Sequence, residues 1–198
     1  MKEFSARPIL DQYLSQLVDE LVRDNLEVLG HICSSNILFV SGAARRANRA
    51  SIRPFRYATE DAEASYIKPS VKIDKHAILY EVCLRPLFFL EGNSESRIST
   101  IAHELWHISD GFDGTLEESR RHRNMSDTVF SQQVERILEN SSISKEVRDV
   151  FGYEGECFIQ AWKQRPPSRI KTDSSKRKAY DERDLYRSVI TQKNILSN

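Results

Sequence analysis

The chain has 198 residues, of which 39% are hydrophobic and 29% charged, which is the composition of one globular domain with a packed core rather than a disordered chain. Lys plus Arg and Asp plus Glu each number 29, so the formal net charge of +0 gives no reason to expect nucleic acid or an anionic membrane as partner. No apolar run approaches the about 18 residues of a membrane span and no hydrophobic signal segment opens the chain, so we expect a cytoplasmic protein without a membrane partner.

The first 90 residues predict a helix followed by strands. Leucines and valines recur at helical spacing between Pro8 and Gly30, so an amphipathic helix is expected over 8–30. The apolar run 37–40 fits a short buried strand. Alternation over 77–84 fits a second strand, with a further short one at 87–90. Residues 57–75 carry few apolar side chains and are expected to form a surface loop.

An arginine-rich stretch lies between these strands. It contains five arginines in twelve residues: Arg45, Arg46, Arg49, Arg53 and Arg56. They are close enough in sequence to form a basic patch that contacts a phosphate backbone. The interleaved Ala, Asn and Ser residues are more typical of a plain solvated strand or loop. Nucleic acid therefore stays an alternative partner, supported by local charge alone.

The central motif of the chain is His103-Glu104-Leu105-Trp106-His107, which is the HExxH pattern. On a helix, residues four apart lie one turn above each other, so the imidazoles of His103 and His107 can reach one metal ion. Glu104 points beside that ion, where its carboxylate can take a proton from a water whose pKa zinc lowers. The pattern predicts Zn²⁺ and hydrolysis, with Glu104 as the catalytic base. The alternative is a surface helix with two ordinary histidines, or a zinc site that has lost its activity.

An apolar stripe predicts how this helix packs. Its members recur at helical spacing: Ile98, Ile101, Ala102, Leu105 and Ile108. Both histidines lie off the stripe. Asn93 or Ser94 can cap the first turn, and Gly111 can end the helix. We therefore expect the helix to pack on a sheet and to leave both imidazoles free for a metal ion.

The third zinc ligand has to come from another part of the chain. His122 is the one histidine after the motif, imidazole is a preferred zinc ligand, and the Gly- and Asp-rich loop 109–115 can turn the chain back. We therefore assign His122, with Asp113 as the alternative. Four carboxylates rank behind them: Glu117, Glu118, Glu154 and Glu156.

The charges around His122 weigh against this assignment. Arg120, Arg121 and Arg123 flank it, and cations near Zn²⁺ are unfavourable unless carboxylates offset them. Glu117 and Glu118 are the carboxylates expected to do so. A solvated histidine in a basic turn is the alternative interpretation.

The last third of the chain predicts further helices and a tail. Helices are expected over about 126–139 and 144–151, followed by an apolar segment at 156–162 that ends at Arg-Pro-Pro. We place a single domain at residues 1–167. Residues 168–198 hold eight Lys or Arg against four Asp or Glu and are expected to form a basic, mobile C-terminal tail. A docking helix around 185–190 is the alternative.

These residues resemble the zincin superfamily of metallopeptidases, and more narrowly the small bacterial and phage metallopeptidases with a SprT-like core. The strand region 78–90, the segment 101–108 and the Arg-Arg-His element ending at His122 carry the resemblance, which spans about residues 30–165. It implies zinc at His103 and His107, Glu104 as general base, and a peptide or protein substrate. Short-spaced zincins have a glycine where Asp110 stands, so the resemblance leaves the third ligand open.

The resemblance also implies an α+β, zincin-like fold. We expect an N-terminal helix, a small mixed sheet of about three to four strands, the HExxH helix and further C-terminal helices. The strand before the HExxH helix would form the edge of the cleft, where an extended peptide adds to the sheet through main-chain hydrogen bonds.

Two other functions fit the same residues. One is a catalytically inactive zincin-like interaction or DNA-associated module, in which a closed four-ligand site keeps the metal as a structural element. The other is a peptidase brought to nucleoprotein substrates by the arginine-rich stretch or the basic tail. Salt-dependent retention on DNA separates the second from the rest.

Overall fold

The computed structural model describes residues 6–43, 48–57, 66–172 and 179–193, which form a mixed α+β fold. The helices are α1 (Leu10–Asp24), α2 (Leu26–Leu29), α3 (Pro86–Leu90), α4 (Ser94–Trp106), α5 (Asp127–Glu139) and α6 (Lys145–Phe151). The strands are β1 (Ile37–Ser41), β2 (Ala50–Pro54), β3 (Tyr66–Ile67), β4 (Ser70–Ile73), β5 (His76–Ala77), β6 (Tyr80–Leu84), β7 (Glu156–Trp162), β8 (Ile170–Lys171), β9 (Ala179–Tyr180) and β10 (Leu185–Thr191).

A five-stranded mixed sheet with the order β10-β7-β1-β6-β2 forms the centre of the fold. β1 pairs in parallel with β6 and β7, whereas β2 and β10 are antiparallel edge strands. Phe39 and Ile52 both lie beside Val82, and these side chains pack in the main core. Leu38 and Cys83 belong to a smaller core cluster. Both the mixed sheet and the α+β class are as expected, but the sheet has five strands rather than three to four.

The main core lies between this sheet and α1, α4, α5 and α6. The apolar stripe of α4 is buried as expected, because all five of its members are 3% exposed or less. Asn93 caps α4, and its Oδ1 accepts a hydrogen bond of 2.9 Å from the backbone N–H of Ser96. The helix ends at Trp106, before Gly111, and its C-cap is His107. The helix around the HExxH motif is therefore held by its apolar side, with the motif at its C-terminal end.

Three sequence expectations for the first 90 residues need correction. The helix expected over 8–30 is interrupted at Asn25, whose amide side chain donates to the carbonyls of Leu21 and Ile137. The strand expected at 87–90 is helix α3, since Pro86 fixes a helical φ at the first position of the helix. The loop expected at 57–75 contains β3 and β4, which pair with β8 and with β5 and β9. Residues 58–65 of that loop lie outside the described residues.

The mobile tail expected from residue 168 is wrong where the structure describes it. β10 pairs with β7 along its whole length, from Leu185 opposite Trp162 to Thr191 opposite Glu156, and β8 and β9 pair with other strands. The polar composition of this segment resembles that of a tail because β10 is an edge strand, and three of its seven side chains are exposed. The domain therefore extends beyond residue 167, at least to Lys193.

The described part of the arginine-rich stretch is largely used inside the fold. Arg53 lies in β2 and forms a salt bridge of 2.7 Å with Glu81, whose side chain is 0% exposed. Arg49 donates a 2.7 Å hydrogen bond to the carbonyl of Glu91. Arg45 and Arg46 lie outside the described residues. The strand interpretation is therefore correct for residues 50–54, and two of the arginines already have partners within the chain. Among the described helices, none has the length and apolar character to cross a membrane.

Arg97 is a buried, charged side chain that connects several helices. It is 1% exposed, and its guanidinium donates to the carbonyls of Phe88 (3.0 Å), Phe151 (2.5 Å), Phe89 (2.9 Å) and Lys193 (3.0 Å). Burial lowers the pKa of Arg97 to about 10, so the group stays charged at neutral pH. One side chain therefore joins α4 to α3, to α6 and to the segment after β10.

We predict that Arg97→Met destabilises the protein by about 3 kcal/mol or more, because four carbonyl groups each lose a hydrogen bond and three of these bonds are buried. Urea unfolding followed by circular dichroism measures the change. Arg136→Met is the matched control, since Arg136 is exposed on α5. Equal midpoints for the two variants would show that Arg97 has no such role.

Candidate metal centre

The end of α4 carries two of the predicted ligands. His103 lies in the last turn and His107 caps the helix, and their ring centroids are 5.1 Å apart. Because the apolar stripe of α4 faces the sheet, the two imidazoles lie on a flank of the helix that faces α5 and the segment after the helix. Helical spacing has therefore brought these two side chains to one place.

A tight loop returns the chain to the end of α4. Ile108 forms an antiparallel bridge with Leu116, and the N–H of Glu117 donates to the carbonyl of His107 at 2.9 Å. Gly114 has a φ of +88°, in the left-handed region that glycine adopts without strain. The loop therefore sends residues 116–122 back past the histidines, as its Gly and Asp content predicted.

Asp113, the alternative third ligand, is used to close this loop. Its Oδ1 accepts hydrogen bonds from Ser109 Oγ (2.8 Å), Thr115 N (3.0 Å) and Thr115 Oγ1 (2.7 Å). The structure does not bring Asp113 into the histidine cluster. Asp113 stands at the spacing of a short-spaced zinc ligand, but its side chain stabilises a turn.

His122 joins the other two histidines. Its Nε2 lies 3.2 Å from Nε2 of His103, and its ring centroid is 4.9 Å from that of His107. One ligand atom from each imidazole lies within 4.8 Å of the others, and among the described residues this is the one such group of His, Cys, Asp or Glu. Zn–N bonds of about 2.0–2.1 Å in a tetrahedral site separate two nitrogens by about 3.3 Å. The spacing of His103 and His122 fits that value.

The four lower-ranked carboxylates are not part of this cluster. Glu117 caps a short 3-10 turn at Glu118–Arg120 and accepts a 2.9 Å hydrogen bond from Ser119 Oγ. Glu156, the first residue of β7, forms a salt bridge with Arg7. Glu118 pairs with both Arg121 (2.9 Å) and Arg123. The arginines that flank His122 therefore have carboxylate partners, which answers the electrostatic objection to this ligand.

Phe130 forms an apolar wall against all three imidazoles. This α5 residue is 2% exposed, and its ring centroid lies 4.3, 4.8 and 5.2 Å from those of His103, His107 and His122. The sequence places Phe130 on an apolar helix face and gives no further signal of this contact. The ring excludes water from one side of the cluster.

A backbone carbonyl fixes the orientation of one imidazole. Nδ1 of His107 lies 2.8 Å from the carbonyl oxygen of Arg120, and because that oxygen can only accept, Nδ1 carries the proton. Nε2 of His107 is then the free nitrogen, as a ligand atom must be. In the described part of the chain, the nearest carboxylate oxygen to Nδ1 of His122 is Oδ1 of Asp127, at 3.8 Å, which is too long for a hydrogen bond.

Burial keeps two of the histidines neutral. Burial, together with the smaller effect of the neighbouring imidazoles, lowers the pKa of both His103 and His107 to about 4. Metal ligands have to be deprotonated, so above about pH 5 these rings need not release a proton when a metal ion binds.

Glu104 is buried beside the edge strand. It is 6% exposed, and its Oε2 accepts a 2.8 Å hydrogen bond from the N–H of Ile52 in β2. Burial raises the pKa of Glu104 to about 7, although the bond from Ile52 works in the opposite direction. A carboxylate that titrates near neutrality is suited to accept and return a proton.

A cleft runs along β2 past these groups. One cavity of about 420 Å³ borders His103, Glu104 and His122, and an adjoining cavity of about 230 Å³ borders Glu104, His107 and His122. Ala50 of β2 lines both. A larger cavity of about 840 Å³ lies at the ends of β1, β6 and β7 and includes none of the three histidines. The two cavities beside the histidines and Glu104 therefore lie along the edge of the sheet.

We predict that Glu104→Gln stabilises the metal-free protein at pH 8 by up to about 3 kcal/mol and changes it little at pH 5. The pKa of Glu104 is raised from 4.5 to about 7 in the folded state. Between these two pH values Glu104 is protonated in the folded protein and ionised in the unfolded chain. The free energy of unfolding of the parent therefore falls as the pH rises through this range. Urea unfolding with a chelator present, at both pH values, measures the effect. Glu135→Gln, an exposed change on α5, is the control, and an equal gain at both pH values would contradict the prediction.

Comparison with known proteins leaves the site to be interpreted from its own geometry. No family model matches this chain, and neither a curated protein nor a solved structure matches it. What the chain does has to follow from the three imidazoles, the buried carboxylate and the cleft beside them.

Proposed function

We propose that the chain is a zinc-dependent metallopeptidase that hydrolyses peptide bonds with water. The observation that carries the proposal is the convergence of His103, His107 and His122 beside the buried carboxylate of Glu104. Imidazole nitrogens at this spacing suit Zn²⁺, and a carboxylate next to such a site is the usual proton acceptor in hydrolysis. A zincin-like arrangement is part of the proposal, with the HExxH helix α4 packed beside the antiparallel edge strand β2.

Zinc, Glu104 and Phe130 have different roles in the proposed reaction. When bound, zinc supplies Lewis acidity, which polarises a carbonyl group and acidifies water. Glu104 takes a proton from the attacking water, whose oxygen joins the carbonyl carbon of the substrate. Glu104 then gives that proton to the amide nitrogen as the C–N bond breaks, so the products are a carboxylic acid and an amine. Phe130 keeps bulk water from one side of the site.

The substrate strand would pair with β2. The sequence placed the edge of the cleft on the strand just before the helix, but β6 lies between β1 and β2 and has no free edge. β2 is the edge strand, and it lines both cavities that border the histidines. An extended peptide can add to such an edge through main-chain hydrogen bonds.

The inactive, structural-metal alternative has less support. A structural zinc site is closed by four protein ligands, whereas three side chains converge in the described residues. Catalytic zinc sites keep three protein ligands and one open position. Nucleic-acid binding by the arginine-rich stretch also loses support, because Arg49 and Arg53 contact groups within the chain.

We predict about one zinc per chain and a loss of about 100-fold or more in peptide hydrolysis in Glu104→Gln, with zinc retained. The variant keeps the three imidazoles and removes the proton acceptor. Elemental analysis of protein purified without added metal and a peptide-library assay test both parts. The control is Glu135→Gln. Protein without zinc and without affinity for it would refute the metal centre, and a variant with parental activity would refute the role of Glu104.

We predict that His122→Ala weakens zinc binding by more than about 100-fold, whereas Asp113→Ala lowers stability and leaves the zinc affinity of the folded protein near parental. His122 lies with the two motif histidines, and Asp113 closes the loop. Competition with a chromophoric chelator measures the affinities, and thermal unfolding measures stability. If Asp113→Ala loses zinc and His122→Ala keeps it, the short-spaced arrangement is correct instead.

A further inference from the structure

Arg120 contacts both segments that carry the candidate ligands. It is the last residue of the 3-10 turn Glu118–Arg120, two positions before His122 in the sequence. Its side chain is 14% exposed, although a surface turn carries it. This side chain is therefore held by contacts within the protein and is not a solvated surface cation.

The guanidinium group of Arg120 forms hydrogen bonds at the C-terminal end of α4. Nη1 donates to the carbonyl of Ile108 at 3.1 Å and lies 3.5 Å from that of Trp106, and Nη2 donates to Asp110 Oδ1 at 2.6 Å. The carbon between these nitrogens lies 4.0 Å from the centroid of the Trp106 ring. Carbonyls at a helix C-terminus lack partners within the helix and carry partial negative charge, so a cation is favourable there.

The backbone of the same residue contacts a candidate ligand directly. The carbonyl of Arg120 accepts the 2.8 Å hydrogen bond from Nδ1 of His107. This bond determines which nitrogen of His107 is free, and its length depends on where residue 120 lies relative to the helix. The side chain of the same residue bonds to the end of the helix.

We propose that Arg120 is a positioning residue of the metal centre. It holds the returning segment against the end of α4, so that the imidazole of His122 and the free nitrogen of His107 meet at the spacing that zinc requires. The inference rests on the proposed zinc site and adds a residue that does not touch the metal. Groups that orient metal ligands in this way typically contribute about 10- to 100-fold to affinity.

A lysine cannot fully replace this side chain. Its ammonium group carries its donors on one nitrogen, whereas the guanidinium binds these acceptors from two, and it lacks the planar group that stacks on Trp106. Methionine keeps much of the length and removes every donor. Arg123, three residues on, is 67% exposed and pairs with Glu118, so it offers a matched control outside these contacts.

The test compares the parent with Arg120→Met, Arg120→Lys and Arg123→Met. Zinc affinity is measured by competition with a chromophoric chelator, and the visible spectrum of the Co²⁺ form reports the ligand geometry. We expect Arg120→Met to bind zinc about 10- to 100-fold more weakly, Arg120→Lys to lie between it and the parent, and Arg123→Met to match the parent within about threefold. The Co²⁺ spectrum should change in the Arg120 variants alone.

A purely structural role for Arg120 gives a different result. It would lower the unfolding midpoint of the metal-free variants and leave zinc affinity and the Co²⁺ spectrum of the folded protein unchanged, which would overturn the inference. If Arg120→Met does not fold, Asp110→Asn serves in its place, because Asp110 is 67% exposed and its substitution removes one anchor of the guanidinium. Parental zinc affinity in both Asp110→Asn and Arg120→Lys would also overturn it. A parent that binds neither metal would refute the zinc site itself.

Discussion

The rotation of α4 about its own axis is the constraint on which the site depends. Four apolar side chains of this helix and that of Ile108, just beyond its end, are buried in the main core, and each contributes about 1–3 kcal/mol of hydrophobic stabilisation. A shift by one residue would turn the helix by about 100° and expose the stripe. With the rotation fixed, His103 and His107 have to face α5, and Glu104 has to face β2. The chemistry of the motif is thus set by packing on the opposite side of the helix.

The same desolvation acts on all the buried titratable groups of the site, with opposite sign for acids and bases. It lowers the pKa of His103 and His107 and raises that of Glu104, because burial disfavours whichever form carries a charge. In the metal-free protein, His103, Glu104 and His107 are therefore largely uncharged at pH 6. A dication placed among the imidazoles would favour the ionised form of the nearby carboxylate, so metal and proton occupancy oppose each other at Glu104.

The sequence predicts the parts of this arrangement that depend on local pattern. Helical spacing predicts α4 and the convergence of His103 and His107, and the Gly- and Asp-rich loop predicts the return of His122. Edge strand β10 escaped prediction because three of its seven side chains are exposed. β2 was predicted only as a solvated strand or loop, because its arginine resembles part of a surface patch. The contacts of Phe130 and Arg120 join segments that are distant in sequence, and residue type alone does not specify them. The apolar run 87–90 resembles a strand, but Pro86 before it begins α3.

The bond from Arg97 to the carbonyl of Lys193 links α4 to the segment that follows β10, 96 residues further along the chain. β10 is at the edge of the sheet opposite β2, so this one guanidinium connects the far edge of the sheet with the helix that bears the histidines. Opening of β10 would remove one of the four acceptors of a buried charge at the start of α4. Amide hydrogens in the two elements should therefore exchange as one cooperative unit, and the far edge belongs to the same foldon as the histidines.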